Sequence, residues 1–166
     1  MADRLMRLLF RPGWRLRCVD PPIAWIQVRG EYPPTAAIRL QLTCYLTSRL
    51  ARSVWLRDSQ LRITQGEHSF VIPMSAATNA EGEPFKREAG LDVYHDEPEH
   101  ALVDFVTDAP DLIGLLQEPG AALSIDVEAL LNDAIEFKKI ADLELERPDF
   151  LHPSDDWRRV NTGRSR

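Results

Sequence analysis

The chain has 166 residues, of which 44% are apolar and 28% charged, and its formal net charge is −6. These values are typical of one globular domain and exclude wholesale disorder. No segment approaches the ~20 consecutive apolar residues of a membrane span, and arginines interrupt the N-terminal apolar segment too often for the ~7–15-residue core of a secretory signal. We therefore expect a cytoplasmic protein with reduced thiols at its two cysteines, Cys18 and Cys44.

The first third of the chain predicts an N-terminal arm and two strands. The arm covers residues 1–19, and its segment 2–11 has the apolar spacing of a short helix. In residues 24–29 small or aliphatic side chains recur at every second position, and this two-residue period predicts the first strand. Residues 38–46 alternate without a break, which predicts a strand with one buried and one wet face. The apolar members of that alternation are Ile38, Leu40, Leu42, Cys44 and Leu46.

Within residues 53–64 the apolar residues first occupy even-numbered positions and then odd-numbered ones. The apolar residues before the change are Val54 and Leu56, and those after it are Leu61 and Ile63. One extra residue at Arg57-Asp58-Ser59 would return both pairs to the same face, which is the effect of a β-bulge. With a turn at residues 65–67 and a strand from Phe70 to Ile72, residues 36–73 predict a three-stranded antiparallel meander.

The second half of the chain predicts shorter elements. Residues 74–90 are small, polar and turn-rich, and predict a long loop. Residues 100–106 predict a strand, and residues 141–145 predict the last strand. Two brief helices are predicted where Asp108 and Asp126 provide N-caps.

These elements predict one domain over residues 20–147, followed by a flexible C-terminal tail at residues 148–166. About seven short strands separated by turns are typical of a β-sandwich. Residues 39–63, RLQLTCYLTSRLARSVWLRDSQLRI, resemble the successive strands of bacterial immunoglobulin-like domains, and Cys44 and Trp55 lie 11 residues apart, close to the spacing in antibody domains. The resemblance implies an all-β or β-rich, two-sheet antiparallel sandwich with one or two short connecting helices.

Charge is distributed unevenly along the chain. Residues 1–62 contain 11 arginines and 4 acidic residues, a net charge of +7, whereas residues 63–157 have a net charge of −17. One explanation is a basic face for nucleic acid and an acidic face elsewhere. The other, which we favour, is that strands from both halves interleave in one sheet and the charges largely pair, since overall acidity opposes phosphate binding.

The densest polar cluster is His95-Asp96-Glu97-Pro98-Glu99-His100. Its imidazoles and carboxylates are groups that bind divalent metals or serve in acid–base catalysis, which makes His95, Glu97 and His100 weak candidates for a metal-dependent enzyme. The spacing matches no known ligand motif, and Pro98 prevents a regular helix there. An acidic, solvated loop leading into a strand is the simpler interpretation, and no cofactor is expected.

No catalytic motif is present elsewhere in the sequence. The serines lie in no nucleophile elbow, and no glycine-rich phosphate loop occurs. Cys44 lies on the apolar phase of its strand, which favours a structural thiol over a nucleophile. The sequence therefore leans towards a protein without enzymatic activity.

Arginines and aromatic residues are concentrated in the first third of the chain, and Arg39 and Tyr45 share the wet face of one strand. These residue types are favoured in protein–protein hot spots, and they also bind single-stranded nucleic acid by stacking and phosphate contact. We favour a protein interaction or assembly module that binds another protein or itself, with single-stranded nucleic acid as the alternative. The interaction candidates are Trp25, Tyr32, Arg49 and Arg52.

Overall fold

The computed structural model describes residues 14–19, 21–30, 32–48, 53–79, 81–84, 90–94, 97–154 and 156–164. The described residues form eleven strands and one helix: β1 (Trp14–Cys18), β2 (Ile23–Arg29), β3 (Thr35–Ser48), β4 (Ser53–Gln65), β5 (His68–Asn79), β6 (Leu91–Tyr94), β7 (Glu99–Thr107), α1 (Pro110–Gln117), β8 (Leu123–Leu131), β9 (Lys138–Leu145), β10 (Arg158–Val160) and β11 (Thr162–Gly163). The predicted helix at residues 2–11 lies outside the described residues.

All strand pairings are antiparallel, and the strands follow the order β10-β2-β3-β7-β5-β4-β8-β9-β11. Strand β5 pairs with β4 through its first half and with β7 through its second half, so it passes from one sheet to the other. Strands β10 and β11 are separated by Asn161 and pair with β2 and β9, at opposite ends of this order. The sheet is therefore nearly closed into a barrel.

For clarity we divide this sheet into two parts. Sheet A contains β1, β2, β3, β7, β10 and the second half of β5, and sheet B contains β4, β6, β8, β9, β11 and the first half of β5. Strands β1 and β2 lie one after the other along the same edge of β3, opposite β7. The all-β class is confirmed, whereas nothing in this strand order confirms an immunoglobulin-like sandwich.

The meander predicted over residues 36–73 forms only in part. Strands β4 and β5 make a hairpin around Gly66-Glu67, as the sequence indicates. Strand β3, however, pairs with β1, β2 and β7 and not with β4. Alternation fixes which face of a strand is buried but carries no information about its neighbour, and this is why the pairing was predicted wrongly.

The alternation in β3 is confirmed by burial. Its apolar phase points into the core with at most 3% exposure, at Ile38, Leu40, Leu42, Cys44 and Leu46. The predicted bulge in β4 is also present: Leu56 pairs with Leu131, and the next pair is Asp58 with Leu130. The extra residue, Arg57, lets the apolar residues on both sides of it face the same core.

The two predicted helices have different outcomes. Helix α1 exists and buries Leu112, Ile113 and Leu116, but Ala109 is its N-cap and not Asp108. The helix predicted after Asp126 is wrong, because β8 continues to Leu131 with strict alternation of buried residues. The loop predicted at residues 74–90 is also shorter, since β5 extends to Asn79.

The sheet extends beyond residues 20–147 in both directions. Strand β1 lies in the predicted arm, and β10 and β11 lie in the stretch that was expected to be a flexible tail. That stretch packs on the rest of the sheet: Leu151 is buried, and the Ser154 N–H donates to the Val28 carbonyl oxygen at 2.8 Å. No helix in the described part of the chain has the length and apolar character needed to cross a membrane.

Candidate binding surface on sheet A

The outer face of sheet A consists of the side chains that alternate with its buried residues. Register places them in rows across the strands, so that residues distant in sequence become neighbours. We define this surface by the outward residues Arg15, Arg17, Trp25, Arg29, Arg39, Gln41, Thr43, Tyr45, His100, Leu102, Asp104 and Arg159.

One row of this face centres on Arg39 in β3. Trp25 lies opposite it on β2, and Asp104 lies opposite it on β7. The Arg39 guanidinium donates to both carboxylate oxygens of Asp104, at 2.6 and 2.7 Å, and lies 4.1 Å from the ring centroid of Trp157. The hydrogen bonds to Asp104 raise the pKa of Arg39, although partial burial opposes the shift. Arg39 is therefore neutralised and fixed between a carboxylate and an indole.

Arg159 continues this row beyond Trp25, since β10 places it directly opposite that tryptophan. The Arg159 side chain is exposed, and Trp25 is half-buried. Within the described ranges Arg159 forms no ion pair. An indole and an uncompensated guanidinium thus stand side by side at this end of the face.

A second arginine–aromatic pair lies nearer the other end of β3. Arg17 on β1 is directly opposite Tyr45, and Arg15 is opposite Thr47. Both arginines are exposed, and the Tyr45 side chain is 39% exposed. Neither arginine is ion-paired with any residue that the structure describes.

A hollow of about 370 Å³ is lined by Gln41, Asn79, His100, Ala101 and Leu102. Along β3, Gln41 lies between Arg39, in the row of Trp25 and Arg159, and Tyr45, which is opposite Arg17. At the side of the hollow, Thr43 Oγ1 and His100 Nδ1 are 3.0 Å apart and share a hydrogen bond. The lining offers amide and imidazole groups together with two aliphatic side chains, Ala101 and Leu102. The outer face therefore has a depression of mixed polarity across β3, β7 and β5, and two arginine–aromatic pairs on the opposite side of β3.

Sheet B presents a different surface. Its outward residues on β8 and β9 include four carboxylates, those of Asp126, Glu128, Asp142 and Glu144. Arg62 pairs with Glu128 at 2.9 Å, and Lys139 pairs with Asp126 and Asp142 at 3.6 and 3.2 Å. Burial opposes ionisation of Glu128, but hydrogen bonds from Arg62 and Gln60 outweigh it and lower the pKa of this carboxyl.

Both explanations of the charge pattern thus describe part of the molecule. Pairing occurs at Arg39, Arg62 and Lys139, as the interleaved arrangement predicts. The remaining charge is nevertheless separated, with exposed arginines on sheet A and carboxylates on sheet B. The reason is topological, since β1, β2 and β3 stay together in sheet A while β8 and β9 join sheet B.

The structure describes two of the four predicted interaction residues, Trp25 and Tyr32. Trp25 lies in the outer face, whereas Tyr32 is 99% exposed in the connection between β2 and β3. Arg49 and Arg52 lie outside the described residues and stay predictions. Sequence reasoning missed Arg159, because the C-terminal stretch has no periodicity that would identify it as part of a sheet.

The structure describes two of the three predicted metal candidates, Glu97 and His100. His95 lies outside the described residues, Glu97 is exposed, and His100 points from β7 towards Thr43. In the described ranges no group of three or more His, Cys, Asp or Glu side chains is arranged to hold a metal ion. The metal-dependent enzyme stays a prediction without geometric support.

Comparisons with known proteins add no identity. No protein-family model matches the sequence. Searches of curated proteins and of solved structures also find no significant match. The function must therefore be inferred from the surface itself.

Proposed function

We propose that this protein is a non-enzymatic interaction module that binds an acidic segment of a partner protein on the outer face of sheet A. The observation that carries the proposal is the pair of arginine–aromatic groups, Arg17 with Tyr45 and Arg159 with Trp25, which strand register places on this one face. Four arginines of this face, Arg15, Arg17, Arg29 and Arg159, are exposed and form no ion pair with any residue that the structure describes, and they provide the charge that an acidic segment would complement.

The composition of the face favours a protein over other partners. Arginine, tryptophan and tyrosine are enriched in protein–protein hot spots, whereas lysine is depleted there. The outer face, as defined above, contains no lysine. A planar guanidinium binds a carboxylate through two parallel hydrogen bonds, and Arg39 with Asp104 already shows that geometry within the face.

A peptide-display selection tests the proposal directly. Immobilised wild-type protein is used to select from random twelve-residue peptides, and we expect enrichment of Asp and Glu beside apolar residues. The binding constant of a selected peptide is then measured by fluorescence anisotropy. Changing Arg17 and Arg159 to Glu should weaken binding at least about tenfold, since each loses an attraction and gains a repulsion of about 1 kcal/mol or more.

A control substitution of the same type is available on sheet B. Lys138 is exposed on β9, so Lys138→Glu changes the net charge without touching the outer face of sheet A. This variant should bind the selected peptide as the wild type does. Selection without acidic enrichment, or equal binding by the Arg17→Glu/Arg159→Glu variant, would contradict the proposal.

Single-stranded nucleic acid is a second candidate function. Tyr45 beside Arg17 offers a ring for base stacking next to a cation for phosphate contact, which is the arrangement that such binding uses. A labelled oligothymidylate would then bind at low salt, and its affinity would fall steeply as salt rises. We rank this function second because Asp104 already neutralises Arg39, so the cations do not form a continuous track for a phosphate backbone.

A further inference from the structure

The two cysteines of this chain face each other in the core. Strand register places Cys18 of β1 directly opposite Cys44 of β3, and their sulfurs are 2.8 Å apart. The Val19 N–H donates to the Thr43 carbonyl oxygen at 2.9 Å, so the adjacent Cys18–Cys44 pair occupies a position without backbone hydrogen bonds between its members. Cα atoms at such positions are about 4.5 Å apart, within the range that a disulfide spans.

A route to this pair exists along the edge of β1. A cavity of about 190 Å³ lies between β1 and β9, and its lining includes Cys18 together with Arg15, Arg17, Lys139 and Asp142. Cys18 itself is 3% exposed and Cys44 is 1% exposed. A small reagent would therefore reach Cys18 first, and Arg15 and Arg17, which form no ion pair with any described residue, would attract an anionic one.

We propose that Cys18 and Cys44 are a reversible dithiol–disulfide site that is oxidised by an anionic low-molecular-weight disulfide of the glutathione type. The two sulfurs lie on the core side of sheet A, and although Arg15 and Arg17 of the outer face line the cavity that leads to them, the oxidation does not require the proposed binding function. Oxidation would join β1 covalently to β3. It would thereby add a covalent link to an edge strand whose backbone, in the described part of the chain, pairs with β3.

The reaction proceeds by two thiol–disulfide exchanges. Cys18 loses its proton, and its sulfur attacks one sulfur of the oxidant, whose S–S bond breaks and releases one small thiolate. Cys44 then loses its proton and attacks Cys18 Sγ in the mixed disulfide, which releases the second small thiolate. The two protons end on the two released thiols, so the protein loses two hydrogen atoms and the oxidant is reduced to two thiols.

Oxidation of the wild-type protein tests this site without any substitution. The folded protein is incubated with an excess of oxidised glutathione, quenched with acid, unfolded and alkylated, and its mass is measured. We expect the loss of two hydrogen atoms, no alkylation and a cross-linked peptide that contains Cys18 and Cys44. Dithiothreitol should restore two alkylated cysteines.

Amide hydrogen exchange tests the consequence for β1. In the oxidised protein, exchange of the β1 amides should slow at least about tenfold, because the covalent link restricts the separation of β1 from β3 that exposes these amides to solvent. The control is Cys44→Ala, which leaves Cys18 alone and should accumulate one glutathione adduct without a cross-linked peptide. Should that variant fail to fold, the wild-type measurement is decisive by itself.

Two results would overturn the inference. One is a wild-type protein that retains two alkylatable thiols, or carries two glutathione adducts, after prolonged oxidation. The other is a cross-linked protein in which the β1 amides exchange as fast as in the reduced form.

Discussion

Arg39 and Asp104 are 65 residues apart in sequence and directly opposite each other in sheet A, joined by two parallel hydrogen bonds. The pair links the basic N-terminal part of the chain to the acidic remainder. It also fixes the Arg39 guanidinium beneath Trp157 and so orders the centre of the outer face. A part of the proposed binding surface is therefore preorganised before any partner arrives.

Breaking this pair should destabilise the protein modestly. The side chains of Arg39 and Asp104 are 31% and 20% exposed, so solvent screens their interaction. We therefore expect a coupling free energy between them of about 0.5–1.5 kcal/mol. A double-mutant cycle with Arg39→Ala and Asp104→Ala, measured by urea unfolding, gives this value. Additive effects of the two substitutions would show that the pair contributes no coupling.

Gly90 and Gly66 provide a matched test of backbone strain and close packing. Both have positive φ, at 60° and 57°, but a methyl group at Gly90 would overlap the Trp55 indole and the Leu56 carbonyl oxygen, whereas Gly66 has open space. We expect Gly66→Ala to cost about 1 kcal/mol from strain alone and Gly90→Ala about 3 kcal/mol or more. Equal losses in the free energy of unfolding would contradict the packing at Gly90.

The bulge at Arg57 should be essential for the register of β4. Deleting Arg57 would turn the apolar residues on one side of the bulge towards solvent, and we expect a loss of at least about 4 kcal/mol or complete unfolding. Arg57→Ala keeps the residue count and loses chiefly the hydrogen bond to the Ala134 carbonyl oxygen, so it should cost about 1–2 kcal/mol. A deletion variant as stable as Arg57→Ala would refute this role.

Glu128 should make the stability of the protein depend on pH. Its pKa is lower in the folded protein than the ordinary 4.5, because Arg62 and Gln60 stabilise the carboxylate against the opposing effect of burial. The carboxylate therefore stabilises the fold above about pH 4.5, and this contribution is lost as the pH falls from that value through the lower pKa of the folded state.

Chemical unfolding of wild type and Glu128→Gln at pH 6.5 and pH 3.5 checks this dependence. The wild-type protein should lose more of its unfolding free energy over that interval than the variant does, since the variant has no carboxyl to protonate at this position. An identical pH dependence for the two proteins would exclude Glu128 as a contributor.

Several local features were readable from the sequence because they depend on near neighbours only. The two-residue period of β3 predicts its buried face, since successive side chains of a strand alternate by geometry. The phase change in β4 predicts the bulge for the same reason. Periodicity fails at Leu130, where adjacent apolar residues suit a helix as well as a strand, and only the pairing of β8 with β4 and β9 decides for a strand.

The candidate site was predictable only in its residue types. Arginine and aromatic residues in the first third indicated an interaction surface, and Trp25 belongs to it. Arg159 and Trp157 come from the other end of the chain and enter the surface because β10 pairs with β2. Cys18 and Cys44 similarly lie 26 residues apart and meet only through the pairing of β1 with β3.

The amino-acid order by itself determined several of the central strands, the buried face of β3, and where β4 must carry an extra residue. The tertiary structure alone decided which strands are neighbours, how the sheet nearly closes, and which charges pair. Alternation and turn chemistry act over a few residues, whereas strand pairing is settled by the free energy of the whole core, to which distant segments contribute together.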